Sequence, residues 1–217
     1  MFTGIVEEIG RVVSRTHGNG YDSLIITGEK IMEDLETGHS ISVNGVCLTV
    51  VDQSEEDFTV QVVSETLEKS NLSEIAPGSQ VNLERAMGPM DRFHGHVVQG
   101  HVETVGYINN VTVDHGDVRM TVTVDTYWLR YCIPKGSIAL DGVSLSIVDV
   151  SHAGLTVALI PFTLSQTILG KKQAGEPVNV ETDIVARYLE RFLETEPDEE
   201  YGDIDLGILR SWGFGES

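Results

Sequence analysis

Cys47, His101, Ser144 and Asp183 supply a thiol, an imidazole, a hydroxyl and a carboxylate. Together they could provide a nucleophile, an acid–base group and a charge partner. Register singles them out more than residue type does. The chain carries an internal repeat, in which Cys47 stands opposite Ser144, His101 opposite Ile5, Asp183 opposite Ala86 and Glu65 opposite Phe162. Two copies of one unit that differ at such places would hold two related pockets with different chemistry.

The repeat fixes the organisation. Residues 40–52 (SISVNGVCLTVVD) and 137–149 (SIALDGVSLSIVD) share seven of thirteen residues at an offset of 97. At the same offset GSQVNLE (78–84) matches GEPVNVE (175–181), and Thr66-Leu67 matches Thr163-Leu164. GIVEEIG (4–10) matches GHVETVG (100–106) at an offset of 96. Order and spacing hold along nearly the whole chain, so it reads as a tandem duplication joined near residues 88–97. The implied domains are 1–93, 94–184 and a tail, 185–217.

Each unit reads as β structure. Asn44-Gly45 and Asp141-Gly142 are two-residue hairpin signals, because both central positions tolerate φ > 0. Gly18-Asn-Gly20 and His115-Gly-Asp117 sit at matching places between β-rich runs, and residues 118–124 alternate as a strand. About six short strands per unit, with turns every 8–12 residues, predict a small closed barrel. Residues 65–72 and 163–169 predict a short helix in each. In the tail, Val185, Tyr188, Leu189, Phe192 and Leu193 share one helix face. That face either packs on its own barrel or makes an oligomer contact.

Composition excludes several classes. The 217 residues carry a net charge of −20, which is unsuited to a nucleic-acid backbone or an anionic membrane surface. Lysine is scarce and acid is spread along the chain, the composition expected of a protein adapted to high salt. The start lacks a basic signal region and no run is long enough to span a membrane, so a cytoplasmic location is expected. Cys47 and Cys132 are too few for a disulfide framework. Cys132, between Tyr131 and Ile133, reads as core. No phosphate-binding glycine motif occurs. His94 and His96 would share a strand face and, with His101 and Cys47, have ligand character; no further cysteine or carboxylate stands at ligand spacing, so no metal is expected and His96 is assigned a structural role. The run 55–57 reads as a solvated loop.

The runs MFTGIVEEIG, NGVCLTV, ERAMGPMDRFHGHVVQGHVETVG and KGSIALDGVSLSIVDV together resemble the riboflavin synthase family, in order, over residues 1 to about 193. The resemblance implies an all-β fold of two similar six-stranded antiparallel Greek-key barrels plus a C-terminal α-helix, and a homotrimer held by those helices. It implies an enzyme, a transferase that dismutates two molecules of 6,7-dimethyl-8-ribityllumazine. One donates a four-carbon unit to the other, giving riboflavin and a ribitylamino-pyrimidinedione, with no cofactor and no metal. Lumazine synthase is a candidate partner. The resemblance marks His101, Cys47, Ser144, Asp183 and Ser40 as catalytic, with His101 first for proton transfer. It marks Phe2, Thr3, Gly4, Val63, Thr66, Ile160, Thr163 and Ser146 as substrate-binding. Asn82 and Asn179 read as turn or barrel-closure residues. Two departures stand out: Phe162 occupies a place that is often polar in the family, and the acidic tail after residue 194 is longer than the resemblance explains. The alternative is a non-catalytic lumazine- or flavin-binding antenna protein of the same fold. Retention of Cys47, His101, Ser144 and Asp183 favours the enzyme.

Overall fold

In the computed structural model each half of the repeat closes into its own barrel. The structure describes residues 1–114, 117–194 and Ser211. The first barrel comprises β1 (Glu8–His17), β2 (Tyr21–Thr27), β3 (Ser40–Val43), β4 (Val46–Gln53), β5 (Asp57–Val63) and β6 (Gln80–Arg85), with α1 (Ser64–Lys69) between the last two strands. The second comprises β7 (Thr104–Asp114), β8 (Asp117–Thr123), β9 (Ser137–Leu140), β10 (Val143–Ser151), β11 (Gly154–Leu159) and β12 (Pro177–Thr182). It also holds α2 (Thr126–Leu129) and α3 (Pro161–Gln166).

Strand order around the first barrel is β1-β2-β5-β4-β3-β6, and the second barrel repeats it as β7-β8-β11-β10-β9-β12. The β2–β3 and β5–β6 connections each pass over two strands, which makes the barrels Greek keys. The repeat extends to defects in the ladder. A register shift between Val12 and Ser14 recurs between Ile108 and Asn110, and one between Val50 and Asp52 recurs between Ile147 and Asp149. Bulges bend strands, and a six-stranded sheet must bend sharply to close.

Both hairpin signals form as read. Asn44 and Asp141 take φ of 48° and 45°, and the glycine after each is also positive. The predicted helices appear as α1 and α3, each followed by a 3₁₀ turn (Asn71–Glu74 and Ile168–Lys171). Residues 115–116 of the His115-Gly-Asp117 turn lie outside the described residues. His94 and His96 do not lie on a strand. The segment between β6 and β7 makes no ladder beyond one bridge at Val98, because its backbone groups turn instead to Thr3 and to buried carboxylates.

Inward-facing side chains fill each barrel. Ile41, Val43, Val46 and Leu48 belong to the first core; Ile138, Leu140, Val143 and Leu145 belong to the second. Cys132 is in the second core, as expected, and burial pushes its thiol up to about 11. Alternation along the strands sends Ser40, Ser42, Cys47 and Thr49 to the outer wall, and Ser137, Ala139, Ser144 and Ser146 likewise.

The barrels meet about a pseudo-two-fold axis. Phe2 pairs with Val98, its own repeat equivalent, through hydrogen bonds of 2.7 and 3.1 Å. Gly45 touches Gly142 so closely that a Cβ on Gly45 would lie 2.6 Å from the Gly142 nitrogen. Residues that meet their own equivalents lie on the axis. Beside it, Asn179 Nδ2 donates to the Asn44 carbonyl and Asn82 Nδ2 to the Asp141 carbonyl, at 2.8 and 2.9 Å. The Asn82 and Asn179 carbonyls accept from the backbone of Ile168 and Asn71, at 2.8 and 2.6 Å. Thus the two asparagines close no turn; they pin one barrel to the other, because buried amides must find partners and the facing hairpins offer them.

Residues 1–184 form one compact unit and 185–217 a second. In the latter, α4 (Ile184–Glu194) exposes Val185, Tyr188, Leu189, Phe192 and Leu193 as one stripe, with the Tyr188 and Phe192 rings stacked at 6.5 Å. The acidic tail beyond residue 194, Ser211 excepted, lies outside the described residues. No helix among the described residues is long and apolar enough to cross a membrane.

Candidate active site

Two short segments, residues 2–5 and 98–101, act as straps across the axis. Each leaves one barrel and lies on the other. The Ser144 amide donates to the Gly4 carbonyl at 2.7 Å, and the Cys47 amide donates to the Gly100 carbonyl at 2.9 Å. Both glycines have positive φ, 76° and 81°. A Cβ on Gly4 would lie 2.6 Å from the Ser144 Cβ, and one on Gly100 would lie 2.5 Å from the Cys47 Cβ. Only glycine combines that backbone with that approach. The straps therefore set Gly100, the residue before His101, against Cys47, and Gly4, the residue before Ile5, against Ser144, close to where the repeat alignment diverges.

Each strap is held by a carboxylate that sequence reasoning did not single out. Glu181 on β12 accepts from the amides of Gln99, Gly100 and His101 at 2.7, 3.0 and 3.0 Å. Glu84 on β6 accepts from Thr3 N, Thr3 Oγ1 and Gly4 N at 2.6, 2.9 and 3.1 Å. Both side chains are buried. A search for positions where the copies differ passes over them, since the copies agree there. The available signal was a charged residue repeated at one register inside an apolar strand pattern, in Val-Asn-Leu-Glu84 and Val-Asn-Val-Glu181.

Burial pushes both carboxyl groups up to about 7 from their ordinary 4.5 against the pull of the donors, with Glu7 and Glu103 adding repulsion. A folded-state value above the unfolded one means that the folded chain keeps a proton the unfolded chain has released. The stabilisation is complete below about pH 4.5 and lost as pH rises through about 7, on the order of 3 kcal/mol per group. We expect E84Q and E181Q each to flatten the fall in chemical-denaturation stability between those values. An unchanged slope in both variants would contradict it.

The outer wall of the second barrel carries a pair assembled only by folding. His96 Nδ1 lies 2.7 Å from Ser144 Oγ. Burial lowers the imidazole's affinity for a proton, while the Asp183 carboxylate pulls it the other way. A neutral ring with its proton on Nε2 accepts from the serine hydroxyl, a base-to-nucleophile contact. Nε2 is buried with no hydrogen-bond partner among the described residues. Assignment of His96 to a structural role missed this contact. The repeat comparison, which aligns from Gly4 with Gly100 onward, does not reach His96.

The remaining sequence-predicted residues divide by place. Ser40 lines an open cleft of about 940 Å³ with Thr3, Glu84, Ala86 and His94. Val63 ends β5 and Ile160 follows β11, and both are exposed at the N-caps of α1 and α3. Thr66 and Thr163 sit on those helices, and their carbonyls accept from Ser70 and Thr167 hydroxyls at 2.6 and 2.8 Å. Ser146 is exposed on the outer wall of β10, and Phe162 is exposed on α3. Phe2, Thr3 and Gly4 are buried, and of the three Thr3 also lines the open cleft. Among the described residues no three or more His, Cys, Asp or Glu side chains converge as a metal site requires.

Comparison with known proteins agrees with this architecture. The lumazine-binding domain family matches residues 3–86 and again 99–183. The riboflavin synthase of Actinobacillus pleuropneumoniae is 42% identical over 216 residues, covering 99% of this chain and 100% of the relative. That of Bacillus subtilis is 42% identical over 193 residues, covering 89% and 90%, and that of Mycobacterium bovis is 44% identical over 200 residues, covering 90% and 99%. Among solved structures, LumP complexed with 6,7-dimethyl-8-(1'-D-ribityl) lumazine superposes with a TM-score of 0.76 at 25% identity, over 84% of this chain and 99% of that one. LumP complexed with riboflavin gives 0.77 at 27%, with the same coverage. Duplicated barrels, crossed straps and near full-length identity lead to one assignment: the chain belongs to the riboflavin synthase family.

Proposed function

We propose that this chain is a riboflavin synthase, converting two molecules of 6,7-dimethyl-8-ribityllumazine into riboflavin and 5-amino-6-(D-ribitylamino)uracil. The observation that carries the reading is identity above 40% to riboflavin synthases along nearly the whole chain, in a fold with two lumazine-binding barrels. The reaction consumes two copies of one substrate, and the duplicated fold presents two related outer walls, which we take as the two substrate pockets. Holding both molecules in reacting contact turns a bimolecular step into an intramolecular one, worth roughly 7–11 kcal/mol of the barrier.

On this reading the pockets divide the work. The acidic C7 methyl of one lumazine must lose a proton. His101, carried by its strap beside Cys47, is the first candidate base. Cys47, with Ser40 on the same wall, supplies the polar face of that pocket. Ser144, His96 and Asp183 supply the other, with Ser146 beyond them. Val63 with Thr66, and Ile160 with Thr163, border the two ligands, and the 2–4 strap backs the second pocket. We take the barrels as residues 1–93 and 94–184.

Release of riboflavin absorbance from 6,7-dimethyl-8-ribityllumazine by the purified protein tests the activity. The lumazine complex of LumP supports a binding-only alternative. Ligand binding without riboflavin formation would establish that alternative and end the enzyme reading.

The apolar stripe of α4 supports a homotrimer joined through this helix, with residues 185–217 serving assembly. Truncation before Val185 is expected to yield species smaller than a trimer by light scattering, with turnover reduced about 10-fold or more. A fully active truncated monomer would refute it. The net charge of −20 supports function at high salt. An unfolding curve that does not respond to KCl between low and molar concentration would oppose that.

A further inference from the structure

The proton-transfer groups do not account for Glu84 and Glu181, two buried carboxylates committed to backbone. We propose that they are reciprocal positioning residues: each barrel's carboxylate holds the strap that completes the other barrel's pocket. Glu181 belongs to the second barrel, yet the strap it clasps lies on Cys47 of the first. Glu84 belongs to the first barrel, and its strap lies on Ser144 of the second.

Geometry argues for positioning over general stabilisation. The three donors at Glu181 are consecutive amides ending at His101, so the carboxylate fixes the backbone that aims this imidazole. At Glu84 the Thr3 hydroxyl replaces one amide, and the residue after the strap glycine is Ile5. The same clasp thus leads into an imidazole on one strap and an apolar side chain on the other, where Ile5 lines the open cleft with Ser40. Each clasped glycine is also the residue pressed on the facing nucleophile, with no room for a Cβ. Movement of a few tenths of an ångström in the strap would reach Cys47 or Ser144 directly. Above the raised carboxyl value both groups are ionised and all three donors face an acceptor. A glutamine turns an NH2 toward at least one of them and loses that bond.

The proposal makes a crossed prediction. Its turnover arm rests on the riboflavin synthase reading; its thiol arm does not. Full-length protein is treated with iodoacetamide at about pH 8.5, and alkylation of Cys47 is followed by peptide mass spectrometry. E181Q should be alkylated about 3-fold faster or more, while E84Q stays within about 1.5-fold of the parent. In a C47S/S144C background the order reverses: E84Q accelerates the introduced thiol and E181Q does not. With lumazine, each glutamine variant should lower kcat about 10-fold with little change in KM. Equal acceleration at both sites in both variants, or none in either, would overturn the proposal, as would crossed acceleration with kcat intact. Crossed acceleration in a protein that never forms riboflavin would support the clasps and end the enzyme reading.

Discussion

His101→Ala is expected to lower turnover by about 100-fold or more, with lumazine affinity changed only a few-fold and thermal stability unmoved. The imidazole is on an exposed strap residue, and the groups that hold the strap are backbone. The His101 amide donates to Glu181 at 3.0 Å and the Gly100 carbonyl accepts from Cys47, so removal of the ring leaves both bonds in place. The other strap carries Ile5 at the equivalent position, showing that the fold is indifferent to the side chain there. A positioned acid–base group accounts for about 10²–10⁴ in rate, which sets the expected loss. Steady-state kinetics and equilibrium titration on one preparation separate the effects. Turnover within a factor of three of the parent would remove His101 from the chemistry.

Lys172→Met is expected to destabilise the chain by about 3–5 kcal/mol, the largest stability effect of any single substitution considered. The Lys172 ammonium lies 2.7 Å from an oxygen of Asp141, a side chain with no exposed surface. The other Asp141 oxygen accepts from Asn71 Nδ2 at 2.7 Å and from the Asn179 amide at 2.8 Å, so the carboxylate sits where the barrels join. Removal of the cation strands a buried charge. The repeat supplies the control. Asn44 and Ile75 occupy the equivalent positions in the first barrel, where a neutral amide and a buried aliphatic serve in place of the ion pair. The double variant D141N/K172I should recover most of the loss. Urea denaturation monitored by tryptophan fluorescence compares the three proteins. A single variant within 1 kcal/mol of the parent, or a double variant no better than the single, would contradict this account of the junction.

Much of the site was legible because duplication gives a sequence its own internal comparison. Divergence of Cys47 from Ser144, and of His101 from Ile5, marked the positions that the straps then bring together in space. His96 escaped because it lies just ahead of the matched repeat segments, and its partner Ser144 is 48 residues away. Glu84 and Glu181 escaped because the copies agree, and only contacts across some 80 residues give those carboxylates a meaning. Asn82 and Asn179 were noticed as repeated, but repetition alone does not distinguish a turn from a pin between barrels.

The sequence by itself determined two units of one topology, the Asn-Gly and Asp-Gly hairpins, the strand faces and the helical stripe of α4. These follow from local preference and from periodicities of 2 and 3.6, which neighbouring residues carry. The tertiary structure decided which pocket each segment serves. A strap belongs by sequence to one barrel and lies on the other, because its glycine is the residue that can approach the facing nucleophile and a distant buried carboxylate holds its amides. Close approach and burial depend on residues far apart in the chain, and no local pattern encodes them.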